Sequence, residues 1–545
     1  MRLPTFPAVL IPLLIGGCVT YEKGDFAIVL GTEPQSLDPA LVTGVPEGRV
    51  IRGILEGLTT SDPQTLEPLP GVAESWEISD DGLVYTFHLR EARWSDGTPL
   101  TARDFDSAWE RVLRPETGAE YGYMLWYVRG AEEYQKGRLD DWSEVGTEVP
   151  NDHTFIVTLD NPTPFFLDIT SFYTASPVPA HKVRELGDAW AREDNIVTNG
   201  PFYLADWRHR ERLLIKRDPL YWDVANVRAS AIELLTVESI PTNFNLVLTG
   251  AAHWTDRNGI PNNFVSNVLA GEASKVRPLS VRRGPYLGTY FVRSNVNEPP
   301  LDDVRVRKAL AMSINQADIT EHVTRAGEIP THAIVPPGID GYSNVKGLRF
   351  DPEGARELLE QAGYPGGKGF PRLVYLFNTS EAHRGVAEVL QAQWEEHLGI
   401  GVELENQEWQ VYLDNQTNLR YQLSRSAWIG DYPDPNTFLD MWMTGGGNNR
   451  TGFSSAHYDS LVVAAGRESD PVKRAEVLAE CERIIVVEEL PILPIYHYVS
   501  LHLYDPRLQG IQNNVLDKMM LKYFYLDEGG DVAKRSPGLG REPHS

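Results

Sequence analysis

Apolar and polar positions follow two different periods along this chain, and the change between them separates its halves. Residues 50 to 180 favour period two: Val84 to Leu89 puts Tyr85, Phe87 and Leu89 on one face, and Thr154 to Leu159 alternates likewise, which predicts half-buried strands. Ahead of them, Phe26-Ala27-Ile28-Val29-Leu30 is a continuous apolar run, the pattern of a buried strand, followed by a loop through Pro34, Asp38 and Pro39. Trp94 to Pro99 reads as a turn, and Thr101 to Leu113 as a helix. The later half is helical with clear punctuation. Asp351-Pro352 opens one helix that Gly363 ends, and Asp470-Pro471 opens another. His383 to Leu398 carries Val386, Val389, Leu390, Trp394 and Leu398 on one face and stops at Gly399. Strands are predicted next at Val402 to Leu404 and Leu423 to Trp428, so the order β, α, β is that of a three-layer α/β lobe.

The amino terminus has the order of a secretory signal. Arg2 precedes the short apolar run Phe6 to Ile15, and Ile15-Gly16-Gly17-Cys18 closes it with small residues before a cysteine. The pattern resembles a bacterial lipoprotein signal over residues 1–17, in which Cys18 is lipidated and residues 18–25 form a tether; an ordinary signal cut nearby is the alternative. No other stretch is apolar enough to span a bilayer, so an exported chain held to the membrane by lipid is expected. With two cysteines in 545 residues, Cys481 then has no partner and reads as a buried thiol on the stripe Leu478, Cys481, Ile485. Acidic residues outnumber basic ones by 76 to 50, which argues against nucleic acid as a partner. Residues 529–545, rich in Gly, Pro and charge, read as a disordered tail.

The densest chemistry lies in Arg425-Ser-Ala-Trp-Ile-Gly-Asp-Tyr-Pro-Asp-Pro-Asn-Thr-Phe438. It places Asp431 between Trp428 and Tyr432, with Arg425 upstream and two prolines that stop the strand. A carboxylate at a strand end among aromatic rings suits an organic ammonium. By itself Asp-Tyr-Pro-Asp-Pro also reads as a solvated turn.

This stretch is similar to the ligand-binding signature of the periplasmic oligopeptide-binding proteins, the receptors of peptide ABC importers (family 5). Segments similar to that family recur in order. They include Ser36-Leu37-Asp38-Pro39, Pro70 to Trp76, Tyr85 to Arg90, Ser176 to Pro179, Thr198 to Phe202, Asp302 to Arg307, Phe377 to Ser380 and Glu405 to Trp409. The resemblance implies a type II periplasmic binding protein of the α/β class, two lobes joined by a hinge plus an extra β-rich domain. Domain I would comprise 26–55, 183–287 and 500–528, domain II 56–182, and domain III 288–499. It further implies a monomer without cofactor that binds short peptides in the cell envelope and passes them to inner-membrane permease subunits.

The site residues follow from the same resemblance. Asp431 would anchor the peptide's α-ammonium, with Trp428 beside it, and a loop at Thr43, Gly44 and Val45 would pair with the peptide main chain. Arg425 and His383 match positions that contact the terminal carboxylate. Trp409, Tyr121 and Tyr286 match pocket-lining aromatics. Other readings stay open: a surface histidine at a helix start for His383, a structural ion pair for Arg425, and core packing for Trp409.

Departures from the family pattern are Gln416 for an arginine, Arg293 for a glutamate, Phe291 for a tyrosine, Thr43 for a glutamate, and Gly288 with Ile429 for a cysteine pair. They shift pocket charge toward positive and suggest neutral or acidic peptides. Enzyme motifs are missing: there is no His-Glu-x-x-His, Gly-x-Ser-x-Gly or phosphate loop, and no Cys/His cluster for a metal. A carboxylate-dependent hydrolase is left by motif alone, and so is the same scaffold used for dipeptides, cell-wall peptides or a metal chelate.

Overall fold

Two strands join the halves of the molecule. In the computed structural model, which describes residues 22–527 and Gly529, Ser280–Ser294 and Ile492–Tyr504 run antiparallel from Ser280 opposite Tyr504 to Arg293 opposite Ile492. They occupy the middle of an eleven-stranded sheet. On one side lie Trp254–Thr255, Phe26–Val29, Ala231–Leu235, Arg212–Arg217 and Phe202–Arg208; on the other lie Leu423–Ile429, Leu373–Asn378 and Val402–Gln407. Ile329–Pro330 adds to Ile492–Tyr504. The first group builds one lobe and the second group the other, so the lobes share one sheet through its central pair. Register slips between Pro285 and Thr289, where proline offers no N–H to the ladder. A break in pairing at this crossing is where the sheet can bend.

Close packing defines that crossing. Gly288 pairs with Ile429, and a Cβ at Gly288 would fall 2.4 Å from Ile429 Cδ1 and 3.0 Å from Tyr498 Cδ2. The isoleucine side chain thus fills the space over the glycine, at the positions where some relatives of the resembled family carry a cysteine pair. Thr289 donates its hydroxyl to the Ile334 carbonyl at 2.8 Å and lies 2.8 Å from His497 Nδ1.

The β-rich part is a four-stranded antiparallel sheet in the order Ala73–Ile78, Val84–Leu89, Thr154–Thr158, Thr147–Asn151. Helix Ala102–Leu113 packs nearby, capped by a reciprocal Thr101–Asp104 box. Phe87, Trp109 and Phe155 share one core with Phe26, Ile232 and Trp254, so this part and the first lobe are packed as a unit. The second lobe has a core on each face of the sheet. Alternation along Ser280–Ser294 sends Tyr290 and Val292 to a core with Tyr375 and Trp394, and Phe291 to another with Trp442 and Tyr458.

Helix punctuation acts as the sequence suggests. Asp351 caps Pro352–Gln361, Asp470 caps Pro471–Arg483, and Glu381–Leu398 ends at Gly399 with φ of 69°. Cys481 is buried in the second lobe, and burial pushes its thiol up to about 12. Residues 22–25, expected as tether, are docked instead. Asp25 N–H donates to the Ala231 carbonyl at 2.8 Å, and Gly24 N–H to Glu233 at 2.9 Å, because the chain entering Phe26–Val29 finds the edge of Ala231–Leu235. Residues 1–17 and Cys18 lie outside the described residues, as does the tail apart from Gly529. No helix among the described residues is long and apolar enough to cross a membrane.

Overpacking the crossing should be costly. Gly288→Val is expected to lower stability by about 1–3 kcal/mol, and adding Ile429→Ala should recover much of the loss. Urea unfolding midpoints of both variants test this; an unchanged single variant would show that the close fit at Gly288 does not constrain the fold.

Candidate ligand-binding site

Strand Leu423–Ile429 ends where Gly430 N–H donates to the Leu287 carbonyl at 2.8 Å and the Phe438 ring and Thr437 methyl, 3.1–3.2 Å from where a Cβ would lie, leave little room for a side chain. The chain then turns through Pro433 and Pro435. Asp434 pins the turn, taking both guanidinium nitrogens of Arg474 at 2.7 and 2.8 Å and the Asn436 N–H at 2.9 Å. The motif is therefore a turn, yet Asp431 within it is not solvated. Its carboxylate accepts from the hydroxyls of Tyr121 at 3.3 Å and Tyr123 at 3.5 Å, both on the short helix Glu120–Leu125 of the β-rich part. Its own N–H donates to Thr437 Oγ1 at 3.2 Å. No cation pairs with it among the described residues. Burial, then the charge of Asp440, push Asp431 up to about 7, with the two phenols pulling against them.

Asp440 is a second buried carboxyl. Tyr127 donates to it at 3.1 Å, Asn436 Nδ2 at 3.0 Å and Tyr432 at 3.5 Å, and burial also pushes it up to about 7. Tyr432 stacks on Phe165 with centroids 4.5 Å apart and planes at 8°, and so joins the core of the opposite lobe. The contacts around Asp431 and Asp440 thus bridge the two lobes.

Arg425 is its electrostatic complement, on the face that carries Tyr290. Its guanidinium carbon lies 5.1 Å from the Tyr290 ring centroid, Nη1 is 3.3 Å from Asn378 Oδ1, and buried Nε has no hydrogen bond. Burial opposes its charge, but Tyr498, Tyr290, Tyr412 and Tyr496 outweigh that and raise its pKa. No carboxylate pairs with it among the described residues, so the ion-pair alternative for Arg425 fails. The His383 ring is 5.7 Å from that of Tyr290, and burial with the Arg425 charge lowers its pKa to about 3. His383 is consequently a neutral hydrogen-bonding group beside the charged Arg425.

The remaining predicted residues divide. Trp409 is 46 % exposed and stacks on Tyr412 at 5.5 Å, which excludes core packing. Tyr286 lies 6.4 Å from Tyr498, ring to ring. Gly44 is extended at φ −84° and ψ 149°, with Thr43 before it in a loop, while Val45 begins helix Val45–Ile54 and is not part of an extended pairing segment. Three expectations need correction. Trp428 points to the opposite face from Arg425, into the core containing Trp442, so it does not flank Asp431. Arg293 pairs with Ser424, and Arg425 with Val292, which places the two arginines on opposite sides of the sheet. Arg293 is buried, donating to Ser426 Oγ at 3.0 Å and the Asn448 carbonyl at 2.9 Å. Gln416 is buried too; its amide donates to Tyr412, Ser424 Oγ and the Arg425 carbonyl at 2.8–2.9 Å and supports Arg425 from behind. Neither Arg293 nor Gln416 adds polarity to the pocket, so the case for acidic peptides built on them falls.

Sequence reasoning missed Tyr123, Tyr127, Asp440, Tyr290, Tyr496 and Tyr498. The available signal was tyrosine spacing: Tyr121-x-Tyr123 with Tyr127, and Tyr496-x-Tyr498 along a strand.

A hinged pair of lobes holding buried, unpaired charges of opposite sign defines a solute-binding protein. The description "Bacterial extracellular solute-binding proteins, family 5" matches through its middle region over residues 67–450, and the chain belongs to that family. It is a binding protein and not an enzyme. It is 35% identical over 502 residues to the oligopeptide-binding protein OppA of Bacillus subtilis, with 90% of each chain covered. The Haemophilus influenzae OppA complex with the peptide RPPGFSPFR superposes with a TM-score of 0.82 at 33% identity, covering 93% of this chain and 100% of that one. The Escherichia coli murein tripeptide binding protein MppA gives 0.83 at 32% identity, covering 93% and 99%; its unliganded open form gives 0.72.

The raised Asp431 pKa carries a sign. From an ordinary value of 3.8 to about 7, the folded protein holds a proton that the unfolded chain releases. Stability from this group is therefore full at low pH and declines as pH rises through that window. Asp431→Asn should match the wild type in thermal midpoint near pH 3, below the ordinary carboxyl value, and exceed it increasingly as pH rises to 8. A variant less stable than wild type at both values would make Asp431 a structural acceptor.

Proposed function

We propose that this chain is an extracytoplasmic receptor, anchored through lipid on Cys18, that captures short peptides between its lobes as a monomer and delivers them to a membrane ABC permease. The observation that carries this reading is the pairing of two unmet charges, Asp431 at the end of a strand and Arg425 within it. Arg425 and Ile429 are about 13 Å apart along that strand, roughly the length of four extended residues. A short zwitterionic chain fits this spacing, its ammonium on Asp431 and its carboxylate on Arg425. The loop at Thr43 and Gly44, extended at Gly44, offers main-chain groups for strand-like pairing. Side chains of the ligand face tyrosines and Trp409, surfaces that accept varied shapes through packing and water.

The names of the relatives agree in kind. Oligopeptide, dipeptide and murein peptide binding recur among proteins 32–35% identical to this chain. The better superposition on MppA than on its open form supports reading the lobes here as closed, as do the hydroxyl bonds from Tyr121 and Tyr127 to the other lobe. Delivery to a permease rests on the family, and the anchor on the small residues before Cys18.

Isothermal titration with tri-alanine, N-acetyl tri-alanine and tri-alanine amide separates the two ends. Leaving one member of a buried pair alone costs about 3–5 kcal/mol, so each blocked peptide should bind at least about a hundredfold more weakly. Asp431→Asn should lose the discrimination against acetylation, and Arg425→Met that against amidation. Equal binding of free and acetylated peptide would remove Asp431 as the anchor.

A further inference from the structure

A second charged cavity lies where helix Val45–Ile54, strand Thr59–Ser61 and the segment around Lys518 meet. It has a volume of about 50 Å³, and Arg52, Lys518, Ser61 and Ser171 are among its walls. None of the residues assigned to the peptide cleft lines it.

Its cations lack acidic partners. Lys518 is only 8% exposed, and its ammonium donates to Ser61 Oγ at 2.9 Å and Ser171 Oγ at 3.3 Å, with no carboxylate in ion-pair contact. Arg52 makes no hydrogen bond or ion pair among the described residues, and its Nε is buried and unpartnered. Nearby acids are engaged elsewhere. Glu56 accepts from Tyr221 and Trp222 at 2.6 Å each, Asp517 lies 2.7 Å from His502 Nε2, and Lys522 pairs with Asp223 at 2.9 Å. Asp168 acts on Lys518 only at longer range. A buried ammonium beside a half-buried guanidinium, with no acid in ion-pair contact with either among the described residues, is costly to fold. Burial and their mutual repulsion fit that picture, taking Lys518 down to about 8, while burial takes Arg52 down to about 10. At ~10–15 Å³ for each water-sized sphere, the cavity of about 50 Å³ holds roughly three to five such spheres, room for a group of four oxygens.

We propose that this cavity is a second ligand site, binding a small inorganic oxyanion such as phosphate or sulfate between Arg52 and Lys518, with the Ser61 and Ser171 hydroxyls beside it. The anion would join three separate stretches of chain: the first-lobe helix, the β-rich part through Ser61 and Ser171, and the C-terminal segment. It would brace the contact between the first lobe and the β-rich part, the unit against which the other lobe moves.

The test uses the exported full-length chain, exchanged into a chloride buffer and titrated with inorganic phosphate and with sulfate at constant ionic strength. Saturable binding and a rise in thermal midpoint beyond the chloride control are expected. Lys518→Met should weaken oxyanion binding at least about tenfold, as expected for a lost hydrogen bond to a charged group. Ser171→Ala should weaken it by a smaller factor, and tri-alanine binding should be unaltered in both. Should Lys518→Met fail to fold, Ser171→Ala and Ser61→Ala supply the same comparison. Absence of saturable binding, or variants that bind oxyanion like wild type, would overturn the proposal. Displacement of the oxyanion by tri-alanine would also overturn it, by placing the anion in the peptide cleft.

Discussion

Asp431 is a buried carboxylate that faces phenols and, among the described residues, no cation, and the rest of the site is arranged around that imbalance. Desolvation of such a group is expensive, and two long phenolic hydrogen bonds recover only part of the cost. An arginine or lysine in their place would have neutralised the carboxylate permanently and removed the reason to bind an ammonium. Tyrosine keeps it soluble enough to fold while leaving its charge unsatisfied. Arg425 presents the inverse case. Aromatic faces and one asparagine oxygen support the guanidinium, and its Nε has no acceptor. A ligand that carries both opposite charges relieves two penalties at once, which favours selection by the ends of the ligand over selection by its middle.

The sheet turns this local chemistry into a mechanism. Two continuous strands, slipped in register where they pass between lobes, let the halves move as bodies about one line. The phenols that reach Asp431 stand on the β-rich part, which packs with the first lobe, whereas Asp431 belongs to the second. The anchor is therefore complete only when the lobes meet. Stacking of Tyr432 on Phe165 adds apolar area to the same contact. A ligand on Asp431 sits among groups from both sides, so its binding energy favours closure directly.

What the sequence disclosed and what it hid divide along physical lines. Helix caps, terminal glycines and period-two strands are local, and they were legible: Asp351, Gly399, Asp470 and the Val84–Leu89 face act as their patterns suggest. The importance of Asp431 and Arg425 was legible through resemblance. Their partners were not, because Tyr121 and Asp431 are 310 residues apart in the chain. Facing was lost as well. Arg293 and Arg425 appear as two cations near one pocket until strand register puts them on opposite sides of the sheet. Gln416 looks like an exposed exchange for arginine until its amide is found bound to Tyr412, Ser424 and the Arg425 carbonyl. A departure from a family pattern marks a position, and only geometry shows whether its side chain meets the ligand.

Asp440 raises the last question, since one incoming ammonium cannot neutralise two carboxylates. Its hydrogen bonds answer it. Tyr127, Asn436 and Tyr432 all converge on its Oδ2, a denser donor set than the two phenols around Asp431. After burial, the charge of Asp440 is what raises the Asp431 pKa most. A cation arriving at Asp431 stabilises the ionised form there, while the donors on Asp440 support its own carboxylate against the burial that opposes it. The two carboxyls therefore differ in what they lack: Asp440 is met by three donors of the protein itself, and Asp431, with two long phenolic bonds, is the one left for an incoming ammonium.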